Sequence, residues 1–330
     1  RVVAAIRQLR PAVLLTVCDG PRTGHPTDDE RCATVRSILS QVDWPCEVHR
    51  NWADDNMGCG ARISTGLTWA FSLVDRAIVL EDDCVPHPSF FPYCAELLHR
   101  YEADERVMAV TGHNHLGRYD AESSYVFSGY AALWGWATWR RAWARYDRAM
   151  TTWPRTRCSD AMTRWFPDAP IRDKVRSEFD GAHSGRIDCW GYQWQYTCLS
   201  RGGLVATPTR NLISNVGDTG AHTSGCGIHH HRDVYGVDPW PIVHPRAVRL
   251  DRPFDRQLYR AWYADLWQAY VQRLRCELWA AHERRDYRAA LRWFINASRA
   301  DADWLHEVGK WRLLARILKR GALSAIGSGR

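Results

Sequence analysis

Nowhere in the chain do about 18 apolar residues run together, the length a membrane-spanning helix requires. The opening residues, Arg1 to Arg10, hold no apolar core of signal-peptide length, although the chain begins without Met and an upstream segment could have been trimmed. The 11 cysteines are scattered singly from Cys18 to Cys276, with no C-x-x-C pair and no Cys/His finger spacing, so neither a structural zinc site nor a disulfide framework is indicated. Reduced thiols in a cytosol are the simplest account, and a cytoplasmic location is the expectation. Lysine is scarce: nearly all of the 44 basic residues are Arg, and the net charge is +7. That charge is diffuse. No basic stripe interleaved with aromatics and no recognised binding motif accompanies it, so nucleic acid is not an expected partner.

What is abundant is tryptophan, 18 residues in a chain of 330. Indole faces stack on sugars, yet core packing explains most tryptophans in most proteins. The length suits one large α/β domain or two smaller ones. The stretch on which the reading turns is Ala77 to Pro86, where the apolar run Ile78-Val79-Leu80 stops at Glu81-Asp82-Asp83 and Pro86 follows soon after. Such a short, non-alternating run reads as a central buried strand. Carboxylates crowded at its end repel one another and call for a cation or abundant water; strand ends in α/β sheets are also where ligands bind. Hard oxygen ligands of this kind suit Mn²⁺ or Mg²⁺ held together with substrate phosphates, while a solvated acidic turn is the plain alternative.

Around this stretch the spacing predicts a strand over 11–17 followed by the turn Cys18 to Arg22, a helix over 28–40 and a short strand over 46–49 that closes a β-α-β unit. The polar loop Asn51 to Gly60 carries Asp54, Asp55 and Asn56, then Gly58 and Gly60, which permit close backbone approach to a ligand. A helix over 63–73 follows, opened by Arg62, then a helix from Pro88 to about Tyr101 and a strand over 106–111 with His113 and Asn114 at its tip. Beyond Asp251 the pattern turns helical. We expect one α/β domain over 1–250 and a helical region over 251–330, whose basic last segment could lie against acidic lipid or a partner, packing on the first domain being favoured.

Asn56 to Gly60, Arg62-Ile63-Ser64, Ile78 to Pro86, Phe90-Phe91, Ser128 to Trp143, Gly185 to Tyr196 and Asn211 to Thr223, in that order, resemble bacterial nucleotide-diphosphosugar transferases with the GT-A fold. More distantly, the chain is similar to the animal N-acetylglucosaminyltransferase I group, whose Glu-Asp-Asp serves as the metal motif. The resemblance covers roughly residues 11 to 225. It implies an α/β, Rossmann-like mixed sheet flanked by helices, and metal-dependent transfer of a sugar from a nucleoside diphosphate, UDP by default, to an unidentified hydroxyl or amine acceptor, with inversion.

The resemblance also implies site residues. Asp83 and Asp82 hold the metal with Glu81 close by. On the donor side stand Thr16 with Asp19 or Arg22 at the first strand's tip, Asp55, Arg62 on the diphosphate, His113, Asn114 and His222; an ordinary strand-to-loop turn, a surface Arg and a loop-capping pair are the alternatives for these. Trp134, Trp136 and Trp190 are the sugar-stacking candidates. In the family the residue after this last Trp is commonly the catalytic Asp, but here it is Gly191, so Asp188 becomes the candidate base, with helix capping as its alternative. Two other classes stay open. A nucleotidyltransferase should show a Gly-rich basic loop near its first strand, of which Gly20 to Gly24 is a faint echo; a non-catalytic carbohydrate-binding protein would explain the tryptophans but not the acidic strand end.

Overall fold

The computed structural model describes residues 1–217, 233–237, 241–301 and 313–318. The described residues form an α/β fold in which helices flank a mixed sheet, and the chain divides into two units, Arg1–Ala261 and Trp262–Arg330. The first unit opens with α1 (Val2–Leu9), β1 (Val13–Cys18), α2 (Asp28–Ser40) and β2 (Glu47–Trp52). β1 and β2 pair in parallel, Val13 opposite Glu47 and Cys18 opposite Trp52, so the expected β-α-β unit is present. β2 runs on beyond His49, and Trp52 Nε1 donates to Thr16 Oγ1 at 3.1 Å across the pair.

Next come α3 (Cys59–Leu73), β3 (Arg76–Val79), β4 (Cys84–Pro86), α4 (Phe90–Arg100), β5 (Val107–Thr111), β6 (Tyr125–Ser128) and β7 (Trp136–Trp139). The short helices α5 (Arg140–Trp143), α6 (Trp153–Thr156) and α7 (Ala161–Trp165) lead to α8 (Ala169–His183), α9 (Gly191–Ser200), β8 (Leu204–Pro208), β9 (Ile213–Asn215) and α10 (Arg252–Trp262). The main sheet has the order β3-β7-β5-β8-β6; β5 and β8 are parallel, the other neighbours antiparallel. β4 and β9 form a small separate ladder.

β3, read from its sequence as a central strand, is instead the edge strand of this sheet. Its apolar pattern is unbroken because helices cover both faces. Ile78 and Leu80 pack on the cluster that contains Phe90 and Leu97 of α4, whereas Ala77 and Val79 pack on the cluster built from Leu67 and Phe71 of α3 with Trp136 and Trp194. Two-sided burial removes the alternation that marks a half-exposed strand. β7 obeys the same rule: Ala137 and Trp139 face the α4 side and Trp136 the α3 side.

α10 belongs largely with the first unit, beyond the boundary expected at residue 250. Its Asp255 accepts from Ser128 Oγ at 2.5 Å and Gly129 N at 3.0 Å, and Arg256 and Arg260 both pair with Asp168, at 2.9 and 2.7 Å. The second unit is helical, as expected. α11 (Ala264–Glu283) packs on α12 (Tyr287–Ala300) through Leu274, Leu278, Phe294 and Ala297, and Asp286 caps α12 by accepting from Ala289 N at 3.0 Å. Among the described residues no helix is long and apolar enough to cross a membrane.

Candidate functional site

β3 ends at Val79 and the chain turns through Glu81-Asp82-Asp83 into β4. Cys84 N donates to Glu81 O at 3.1 Å and Val216 N donates to Asp83 O at 2.8 Å, so the acidic turn is closed on one side and tied to the β9 end on the other. The tie is close: a Cβ on Gly217 would stand 2.5 Å from Asp83 Oδ2. Burial pushes the Glu81 carboxyl up to about 7, with Asp83 and then Asp82 adding to it. None of the three carboxylates forms an ion pair with a cationic side chain among the described residues.

The surroundings of the turn follow from electrostatic proximity. The Cys59 thiol is pushed up to about 12, chiefly by burial and then by Cys189, Glu81, Asp188 and Asp19. Burial also raises the Cys18 thiol, against the lowering effect of Arg36 and Arg62, and Asp82 adds a smaller upward push. Three chain segments therefore converge on the acidic turn: the tip of β1, the start of α3 and the residues just before α9. The β3–β7 and β5–β7 ladders both end at Trp136, paired with Val79 and Thr111, and Gly112 N donates to Gly135 O at 2.8 Å just beyond them, which brings the loops carrying His113 and Trp134 together. The His113 and Trp134 rings lie 4.5 Å apart, and Trp134 is half-buried.

Asp188 stands against the start of α3. Its Oδ1 accepts from Gly60 N at 3.1 Å, while a Cβ on Gly60 would fall 2.4 Å from Oδ1 and one on Gly58 2.6 Å from Oδ2. Gly58 also has φ +77°, which disfavours any side chain. The carboxylate thus meets the free N–H groups at the positive end of a 15-residue helix. Asp188 does cap a helix, but that helix is α3, not the neighbouring α9, whose N-cap is Trp190 with no side-chain bond. The residue remains exposed. Gly191 is buried at the first turn of α9, where a Cβ would meet Leu133 Cδ1 at 2.7 Å, so an Asp in this position requires Leu133 to move.

Several expected donor contacts are otherwise engaged. Thr16 is buried within β1, its hydroxyl shared between Trp52 Nε1 and the His49 carbonyl. The Arg22 guanidinium is taken up by a two-pronged pair with Asp28, at 2.7 and 3.1 Å. Arg62, only 6% exposed, points inward: Nε donates to Cys18 O at 2.9 Å and Nη2 to Asn51 Oδ1 at 2.7 Å and to the Asn51 carbonyl. It fastens the ends of β1 and β2 together instead of facing an anion, which also removes the conflict of a cation with the helix start. Asn114 is fully buried and locks its loop by donating to Pro208 O at 2.9 Å and accepting from Leu116 N at 2.9 Å.

Trp136 and Trp190 are 1% and 3% exposed, their rings stacked 5.5 Å apart at 26° inside a cluster with Trp143 and Trp194. They are core, not sugar platforms. Asp19 holds the loop between β2 and α3, accepting from Met57 N at 2.8 Å and Asn56 Nδ2 at 3.0 Å, and Asp55 is exposed on that loop. His222 lies outside the described residues, as does the rest of the stretch 218–223.

The site thus brings together Glu81, Asp82, Asp83, Asp19 and Asp188 around Cys59 and Cys18, while His113 and Trp134 pair with each other at the strand ends. It adds Cys59, Cys189 and Gly217, which sequence reasoning had not assigned to it; Cys59, flanked by Gly58 and Gly60, carried the clearest available signal. Among the described residues no group of three His, Cys, Asp or Glu side chains is arranged to hold a metal. Asp82 and Asp83 still fit a divalent cation that takes its remaining ligands from water and phosphate, because their oxygens are hard donors and no cationic side chain among the described residues pairs with them. No protein-family model matches the chain, and no curated protein matches it.

Proposed function

We propose that this chain is a metal-dependent glycosyltransferase of GT-A type, moving a sugar from a nucleoside diphosphate to a hydroxyl or amine acceptor with inversion. The observation that carries the reading is the acidic turn at a strand end, with no counter-ion among the described residues, and with Glu81 and Asp188 both within electrostatic reach of Cys59. Mn²⁺ or Mg²⁺, when bound through Asp83 and Asp82, supplies positive charge to the leaving diphosphate. The acceptor heteroatom forms its bond to the anomeric carbon as the bond to the diphosphate oxygen breaks, and Asp188 takes the acceptor's proton. The hydrogen bond from Gly60 N orients Asp188 and leaves Oδ2 for that proton. Trp134 offers a half-buried indole face to the donor sugar. No basic loop follows β1, since Arg22 is paired with Asp28, and this weighs against a nucleotidyltransferase.

The test of the reading is release of free nucleotide from UDP-sugars, first without and then with a panel of sugar and peptide acceptors. Release should depend on Mn²⁺ or Mg²⁺ and stop with a chelator; release of pyrophosphate from a nucleoside triphosphate instead would reject it. Asp188→Asn separates base from cap. Asn can still accept from Gly60 N, so melting temperature should hold, while turnover falls by roughly 10²-fold, the usual scale for losing a general base. Near-normal turnover would remove Asp188 from the chemistry.

A further inference from the structure

We infer that a second site, where α6 and α7 meet the C-terminal end of α9, takes a phosphate monoester carried on a sugar. A cavity of about 410 Å³ opens there, lined by Arg145, Arg155, Arg164 and Arg201 together with Tyr196 and Trp165. Its volume lies within the range of small-molecule sites, roughly 300–1,000 Å³. Against the four guanidinium groups the lining sets a single carboxylate, Asp147, which is already engaged: its Oδ2 accepts from Thr151 N at 2.7 Å and Thr151 Oγ1 at 2.6 Å. Arg145 pairs with Glu105 at 2.6 Å. Arg155, Arg164 and Arg201 are exposed and form no ion pair among the described residues.

Guanidinium groups gathered at one cavity repel one another, and an oxyanion that accepts from several of them at once removes the repulsion. A phosphate monoester carries close to two charges near neutrality and three acceptor oxygens, which suits this excess. The remaining lining belongs to a sugar. Thr152 Oγ1 and Tyr196 Oη lie 2.7 Å apart and Tyr196 Oη donates to Thr156 Oγ1 at 2.9 Å, so the buried tyrosine fixes two threonine hydroxyls, of which Thr152 is exposed to a polyol. Trp165, edge-on to Tyr196 at 6.5 Å, brings an indole to the same cavity.

The cavity is separate from the acidic turn. Asp188 and Gly191 mark the N-terminal end of α9, Tyr196 to Arg201 the other, and a helix of 10 residues is about 15 Å long. The inference accordingly does not rest on the glycosyltransferase reading.

Calorimetric titration of the full chain at low salt, with glucose 6-phosphate, inorganic phosphate and glucose as probes, tests it. Glucose 6-phosphate should bind tighter than inorganic phosphate, with glucose alone undetected. Arg155→Gln and Arg164→Gln should each weaken glucose 6-phosphate by about tenfold, the order expected for a charged hydrogen bond, and the double variant should weaken it further. Melting temperature should stay at the wild-type value in these variants. Absence of glucose 6-phosphate binding at millimolar concentration, or equal binding by the double variant, would overturn the site. Inorganic phosphate binding as tightly as the ester would overturn its assignment to a sugar.

Discussion

Asp83→Ala is expected to abolish Mn²⁺-dependent binding of UDP while leaving the fold as stable as before, or more so. The residue is held chiefly by its backbone, through Val216 N on its carbonyl and the β4–β9 ladder that begins at Cys84, and its side chain adds only a weak bond accepted from the Cys84 thiol at 3.3 Å. The carboxylate also adds to the repulsion that, with burial, raises Glu81 to about 7. Deleting one of three crowded carboxylates relieves that repulsion. On the proposed reading a divalent cation would lose one of its two carboxylate ligands, and the water that takes its place carries no charge. Titrating UDP into wild type and variant, with and without Mn²⁺, separates the terms: the difference made by Mn²⁺ should vanish in the variant. An unchanged Mn²⁺ effect would remove the acidic turn from the site.

Trp136→Ala is expected to destabilise the first unit by about 3–5 kcal/mol, the range for deleting a large aromatic from a core. The side chain is 1% exposed and contacts Trp190, Trp194 and Trp143 at ring separations of 5.5, 5.7 and 6.4 Å. Truncation would leave a cavity bounded by rigid rings that collapse poorly. Trp136→Phe should be much milder, because the indole Nε1 has no acceptor among the described residues and its loss removes an unsatisfied donor. Denaturant unfolding of both variants measures this. A normal midpoint for Trp136→Ala together with lost sugar affinity would restore the stacking role.

The α/β class, the opening β-α-β unit, the acidic strand end and the helical C-terminal region were legible because each rests on a local pattern. Other features depended on distant partners. β3 looked central because apolar cover from α3 and α4 mimics, in sequence, the cover of flanking strands. Arg62 looked anion-facing because its position at a helix start is visible, whereas the carbonyls of Cys18 and Asn51 that take its donors come from β1 and β2. Trp136 and Trp190 looked like sugar platforms because a tryptophan's burial is decided by residues far away in the chain. The pairing of Asp188 with Gly60 joins positions 128 apart in sequence, beyond any spacing rule.

That last pairing has a consequence for descent. A methyl group at Gly58 or Gly60 would intrude on the Asp188 carboxylate, at 2.6 and 2.4 Å, and Gly58 is additionally fixed by its left-handed backbone. A lineage cannot enlarge either glycine while keeping the acid where it is, and shortening the acid opens a gap that a small side chain at residue 60 would fill. Drift at these three positions is therefore coupled: in related chains they should be inherited as a set or be replaced together.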